Sequence, residues 1–435
     1  MTTTPARWEG KPWDTVVIGG GLAGLTAATW LARRGKQVLL LERSDHLGGR
    51  AMTEEREGCL FNLGPHALYK QGAGMNVLCE LGVIPKGGTA GISGKLVMGE
   101  RVYEMPLSPV SLLTSKLFSW REKKELIRLI SRLPRVDTDA IQGISLHDWV
   151  EQQFQSESVK QLFYAISRLA TYTNEPELTS AAAAIRQVKL SAKGALYLHG
   201  GWQQLVDGLL SQAVAAGATV HQKRQVTAIG GTAPEMIVTT ADGHAFHTRS
   251  VISTLPPPGT VKLLRQEVPS RLAALGEAMI PVKGACLDIA CKRLPRPDTS
   301  FALDLDRSLY FSNHSAAARL SRDRQHAVVH LFKYLRTGEE QDAAGHRQEM
   351  ESFLDQLQPG WRREVLTSRY LPAITVSHRL PRVEPTSVTA EASSVADIPG
   401  LYLAGDWLTA EGLLADAALS SGRQAASCVL TLLTI

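Results

Sequence analysis

The chain has 435 residues, 44% hydrophobic and 20% charged, an ordinary globular composition on a chain too long for one simple core, so two intertwined domains are expected. Its formal charge of +5 is mildly basic, and no dense Lys/Arg run interleaves with aromatics, which argues against a nucleic-acid surface. Five cysteines (Cys59, Cys79, Cys286, Cys291 and Cys428), odd in number, scattered and without a CxxC pair, point to free thiols in a reducing cytoplasm rather than to a disulfide framework.

At the start of the chain, MTTTPARWEGKPW lacks the apolar core of a signal peptide, and no run of about 18 apolar residues follows anywhere. A cytoplasmic protein is expected, soluble or at most peripheral at a membrane. Residues 15–18 read as a short buried strand, 22–34 as a helix and 37–41 as a second strand. Gly19-x-Gly21-x-x-Gly24 therefore sits at a strand-to-helix turn, the context that marks a dinucleotide fingerprint. Gly19 permits the tight turn, Gly21 lets the backbone approach a pyrophosphate and Gly24 lets helix and strand pack closely. Leu22 and Ala23 open the helix, whose unpaired N–H groups can meet the anion. Glu42 ends the second strand, where its carboxylate can accept from an adenosine ribose and would repel a 2′-phosphate. Metal-ligand spacing is absent, so no metal is expected.

Gly48-Gly49-Arg50 follows at once. A second glycine pair beyond the ribose position suggests a cofactor extending past its ADP moiety, and Arg50 can meet a phosphate or a ring carbonyl. Residues 59–66 read as a strand running into a Gly-Pro turn. From about 70 to 198 the pattern is helical with irregular loops: Ser119 and Glu122 form a capping box, Ser145-x-x-Asp148 starts another helix, and the alanines at 181–184 favour a third. Residues 203–216 read as a helix. Strands at 225–229, 236–239 and 245–248 read as an antiparallel meander, and 250–255 as a parallel core strand. Further strands are expected at 284–290 and 327–332, a helix near 349–357 and a proline-spaced segment at 380–385. A last core strand at 400–405 precedes a final helix from 416. There Gly405-Asp406 closes the strand, with Asp406 able to accept from a ribityl hydroxyl.

The motifs that carry a resemblance run from end to end: VIGGGLAG at 17–24, LERSDHLGGR at 41–50, NLGPH at 62–66, GGWQQL at 200–205, VISTLP at 251–256 and GLYLAGDWLTAEGLLADAALSSG at 400–422. In these the chain resembles the FAD-dependent amine oxidase superfamily, and within it the branch holding phytoene desaturases and protoporphyrinogen oxidase. The resemblance implies an α/β fold: a Rossmann-like FAD-binding domain with a parallel sheet and β-meander, from residues 1–70, 199–258 and 397–435, plus a discontinuous α+β substrate domain from 71–198 and 259–396. It implies FAD held by Gly19, Gly21, Leu22, Ala23, Gly24, Glu42 and Arg50, with Gly64, Pro65 and His66 beside the isoalloxazine ring. The backbone of Val226 would hold adenine. Gly405 and Asp406 would meet the ribityl and pyrophosphate groups, and Leu414 would lie near the flavin pyrimidine edge.

One departure bears on substrate. Amine oxidases of this superfamily usually carry a cage tyrosine where this chain has Leu413, Leu414 and Ala415, so a cationic amine is disfavoured and a hydrocarbon-like molecule suits better. Lys283 reads as a solvated strand-edge lysine, His66 as structural, and Trp202 and Trp407 as core. The expected activity is a desaturase or dehydrogenase that passes a hydride from an apolar, isoprenoid- or carotenoid-like molecule to the flavin, with oxygen or a quinone as electron acceptor. Amine oxidation and a reduced-FAD-dependent isomerisation are the alternatives, and no catalytic residue is assigned. The apolar stretch at 107–118 and the basic helix after it could rest on a membrane surface.

Overall fold

A computed structural model describes residues 7–8, 12–91, 94–106, 108–323, 325–383, 393–408 and 411–434. Five parallel strands form one sheet in the order Thr219–His221, Val38–Leu41, Thr15–Ile18, Val251–Ser253, Leu401–Leu403. The three inner strands are wholly buried, as a parallel sheet covered on both faces requires. Side chains alternate across it. Val17, Leu40 and Ile252 join the core under the helices, whereas Val16, Ile18, Leu39, Leu41 and Val251 face the meander.

The helices Leu22–Ala32, Gln203–Ala215 and Ala415–Thr434 cover the first face. Small residues set their spacing: a Cβ on Gly422 would lie 2.4 Å from the carbonyl oxygen of Ala23, so the last helix rests directly on the first. The expected meander covers the second face, as Val226–Thr232, Glu235–Thr240 and His244–Thr248, with Arg7–Trp8 added in parallel at its edge.

A second, seven-stranded sheet runs Val365–Ser377, Val282–Cys291, Ala327–Tyr334, Leu309–Asn313, Phe301–Asp304, Lys95–Met98, Arg101–Glu104. All its pairings are antiparallel except the parallel join of Phe301–Asp304 to Lys95–Met98. The helices Trp120–Arg132, Leu146–Gln153, Glu157–Thr171 and Ala181–Ser191 pack on one face and Ala343–Leu357 on the other.

Two of those helices begin at the serines that the sequence marks, Ser119 and Ser145, and the helix read from the alanines at 181–184 begins at Ser180; all three serines accept a capping hydrogen bond. Glu157–Thr171 starts after Ser156, whose side chain makes no capping hydrogen bond. The strands Gly87–Thr89, Lys95–Met98, Arg101–Glu104 and Ala195–Leu198 are further additions to a region expected to be helical and irregular. No helix among the described residues is long and apolar enough to cross a membrane. Part of the 380–385 segment lies outside the described residues.

Candidate functional site

The strand-to-helix turn keeps its glycines for different reasons. Gly19 has φ +103°, and a Cβ on it would meet the Thr254 hydroxyl at 2.2 Å. A Cβ on Gly24 would lie 2.0 Å from the Gly19 carbonyl oxygen, so both are needed by the protein itself. Gly21 is not: a Cβ there meets only Gly48 O, at 3.9 Å. The space it leaves lies at the N-terminus of Leu22–Ala32, whose first turn has no side-chain cap. The second glycine pair forms the neighbouring wall. Gly48 donates to Gly20 O at 2.8 Å, and a Cβ on Gly49 would come 3.8 Å from Gly21 Cα. Bare backbone, open space and unsatisfied amides fit a pyrophosphate.

Glu42 stands at the rim. Its Oε2 accepts from the Gly20 amide at 2.7 Å and its Oε1 from Ser44 N and Oγ, both at 2.8 Å, which leaves acceptor capacity on a fixed carboxylate. The segment leading to Val226 is tied to the same place, since the Arg224 amide donates to Glu42 O at 2.8 Å.

Arg50 crosses to the other end of the chain. Its guanidinium donates to both oxygens of Asp406, at 2.8 and 2.6 Å, and to Val376 O at 2.7 Å. His378 contributes its amide and Nδ1, each 3.1 Å from an Asp406 oxygen. Burial opposes ionisation of Asp406, but the Arg50 charge and the hydrogen bonds from His378 and Arg50 outweigh it and hold the carboxyl far below the usual range. This partnership of Asp406 was not foreseen. Gly405 donates to Ser421 Oγ at 2.9 Å on the final helix.

The Gly64–Pro65–His66 turn is pinned from several sides. Gly64 has φ +89°, and a Cβ on it would sit 2.9 Å from Ile374 and 3.8 Å from Cys286 Sγ. The Tyr172 hydroxyl donates to Pro65 O at 2.8 Å. His66 Nδ1 lies 2.9 Å from Gly64 O, and its ring meets Trp202 edge-on at 4.8 Å. Burial pulls the imidazole down to about 4, so it is neutral near pH 7. Trp202 and Trp407 are both buried in the cores, and their indole N–H groups have no partner among the described residues.

Sequence reasoning missed the group beneath this turn. Asp288, His330 and Arg369 stand in one row across three adjacent strands. His330 Nδ1 lies 2.6 Å from Asp288 Oδ1, and the Cys286 thiol donates to the same oxygen at 3.0 Å. Arg369 grips Oδ2 at 2.6 and 3.0 Å, reaches Glu54 at 2.8 Å and donates to Asn62 O, two residues before the turn. Cys286, Asp288 and His330 bring possible ligand atoms within 4.8 Å of one another, yet Arg369 already neutralises the carboxylate and competes with any cation.

Two other residues are placed as follows. Leu414 has φ +58° and begins the turn into Ala415–Thr434. Lys283 is not on an edge strand: Val282–Cys291 is flanked on both sides, and Lys283 Nζ pairs with Glu340 at 2.8 Å, because the half-exposed end of the strand faces that loop.

A nucleotide cradle joined to a second glycine pair and to the last parallel strand defines a dinucleotide-binding protein. The family model for flavin containing amine oxidoreductase matches residues 22–430, and the chain belongs to that family. It is a flavin oxidoreductase, with FAD as its cofactor. It is similar to 15-cis-phytoene desaturase of Arabidopsis thaliana, at 30% identity over 39% of this chain and 33% of the relative. It is also similar to polyamine oxidase 4 of Oryza sativa, at 26% identity over 59% of this chain and 54% of that one. The chain thus spans about a third of the length of the phytoene desaturases it matches. In fold it is similar to cyclohexylamine oxidase from Brevibacterium oxydans, with TM-score 0.75 at 14% identity, covering 98% of this chain and 100% of that one.

Proposed function

We propose that the protein dehydrogenates an apolar small molecule of isoprenoid or carotenoid type, taking hydride from a C–H bond. The observation that carries this reading is the apolar approach to the final helix, Leu413-Leu414-Ala415, where a cage for a cation would need aromatic residues. FAD, when bound, supplies the hydride acceptor. The amides at Leu22 and Ala23 hold the pyrophosphate, Glu42 the adenosine ribose, and the Val226 backbone the adenine. Arg50, Gly405 and Asp406 meet the phosphate and ribityl groups. The Gly64–His66 turn, fixed by Tyr172 and Arg369, keeps one wall of the reaction site rigid. No side chain on that turn is a strong base at neutral pH, which suits hydride loss to a conjugated product. Residues 1–70, 199–258 and 397–435 act as the cofactor domain and the remainder as the substrate domain, with oxygen or a quinone reoxidising the flavin.

One observation favours amine oxidation as a second reading. Tyr172, Phe332 and Tyr334 cluster beside Pro65 with ring centroids 5.1–5.8 Å apart, an aromatic group that could face a cation. A peripheral membrane contact accords with the first reading: Val110, Trp120 and Ile130 are 71, 67 and 61% exposed, close to Arg121, Lys124 and Arg128. Anaerobic photometry of the holoprotein against polyenes, porphyrinogens and amines separates the readings. Flavin bleaching by a polyene supports dehydrogenation of an apolar molecule, and bleaching by amines alone overturns it.

A further inference from the structure

The outer surface of the helical layer carries a patch that the cofactor site leaves unused. Val110, Leu113, Trp120, Ile127 and Ile130 are exposed, five of the ten large apolar side chains exposed among the described residues, and all five lie between positions 110 and 130. They belong to two consecutive helices, Pro109–Thr114 and Trp120–Arg132, joined by one short loop. Lys123 ties the two together: its Nζ donates to Leu113 O at 2.7 Å and lies 5.0 Å from the centre of the Trp120 ring. An exposed apolar cluster this dense marks a contact with something outside the chain.

Charge is sorted around the patch. At about 100° per residue, Trp120, Ile127 and Ile130 share an arc of about 80° on their helix, and Lys124, Arg128, Arg121 and Arg132 fill the next 120° or so. None of these four cations has an ion-pair partner among the described residues. Lys124, Arg128 and Arg132 stand four apart in a row, a like-charge spacing that costs the free helix. The two acids of the helix are turned to the protein. Glu122 Oε2 accepts from the Ser119 amide at 2.7 Å, and Glu125 accepts from the amides of Gln155 at 2.5 Å and Ser156 at 3.2 Å.

An apolar protein partner would bury the stripe and leave unopposed cations dehydrated beside it. A bilayer with anionic headgroups meets both needs: its acyl boundary takes the apolar stripe, its headgroups take the cations, and an indole at the edge suits the interface. We infer that this face docks on an anionic lipid surface, with Trp120 as the anchor and the row Lys124, Arg128 and Arg132 as the electrostatic contact. The docking face deepens the peripheral contact proposed above and rests on that contact, whichever molecule the flavin oxidises.

Sedimentation of the FAD-loaded protein with vesicles tests it, read by flavin absorbance in the pellet. Vesicles of phosphatidylcholine mixed with phosphatidylglycerol should bind the protein. Vesicles of phosphatidylcholine alone should bind it at least about ten-fold more weakly, and about 0.5 M salt should release it from the anionic ones. Lys124→Gln/Arg128→Gln/Arg132→Gln should weaken binding about a hundred-fold, at roughly five-fold per cation, and Trp120→Ala about ten-fold. All four side chains are exposed, so both variants should melt with the parent and keep its flavin spectrum. Should the triple variant fold poorly, the salt and headgroup dependence of the parent decides alone. No binding of the parent to anionic vesicles, equal binding to both vesicle types, or undiminished binding of the triple variant overturns the inference. So does a parent dimer in light scattering that Trp120→Ala splits, which gives the face to a second copy. Docking without flavin bleaching by a polyene removes the substrate reading and leaves the docking face standing.

Discussion

Arg50 and Asp406 lie 356 positions apart and meet in a two-pronged ion pair, with N–O distances of 2.8 and 2.6 Å. The pair ties the second glycine pair of the N-terminal segment to the end of the last parallel strand. It also draws in the strand Val365–Ser377 and the residue after it, through Val376 O and His378. One contact thus joins the two sheets at the place where the cofactor's middle is proposed to lie.

Removing one partner of this pair should cost more than an ordinary surface change. Arg50→Ala leaves the buried Asp406 carboxylate without its cation, and a loss of about 2–3 kcal/mol is expected, below the fully buried range because Arg50 keeps solvent contact. Asp406 has a depressed pKa, so its contribution is present above about pH 4 and lost as pH falls below that. Urea unfolding at pH 7 and pH 3 measures this, and the difference between parent and variant should shrink at the lower pH.

Gly21 and Gly24 should respond in opposite ways. Gly24→Ala drives a methyl group into the Gly19 carbonyl and should destabilise the apoprotein by roughly 1–3 kcal/mol. Gly21→Ala places a methyl group in open space, so the apoprotein melts within about 0.5 kcal/mol of the parent while FAD affinity falls steeply. Thermal unfolding with and without FAD separates the two effects.

Glu42→Ala should weaken FAD by the value of one or two charge-assisted hydrogen bonds, about 1.5–3 kcal/mol each. It also frees the Gly20 amide, so apoprotein stability falls as well. Equilibrium dialysis against FAD reads the first effect. Unchanged affinity would remove the ribose role of this residue.

Asp416 predicts an unusual pH response. Its Oδ1 caps the helix Ala73–Glu80 through the Gly74 amide at 2.8 Å, while its Oδ2 is buried without a partner. Burial raises the carboxyl to about 6. The fold therefore holds the proton more tightly than the unfolded chain does, and stability falls as pH rises from about 4 through 6. Asp416→Asn should be more stable than the parent by about 1–2 kcal/mol at pH 8 and equal to it near pH 4. Melting curves across that range decide it, and a variant less stable at pH 8 would refute the assignment.

Much of the cofactor side was legible because its signals are local. The turn at 19–24 lies between a strand and a helix that are adjacent in sequence, and Ser119 and Ser145 announce their helices within one turn. The polar row under the Gly64–His66 turn was not legible. Asp288 and His330 each interrupt an apolar strand, Arg369 lies in a mixed one, and only strand register, across 42 and 81 positions, makes them neighbours.

The central claim, that both ends of the chain close around one FAD, is tested most directly by titrating the apoprotein with FAD and following flavin fluorescence. Saturation at one FAD per chain, with a protein-bound flavin spectrum, is the expected result. A protein that stays colourless and leaves the fluorescence of added FAD unchanged would contradict it.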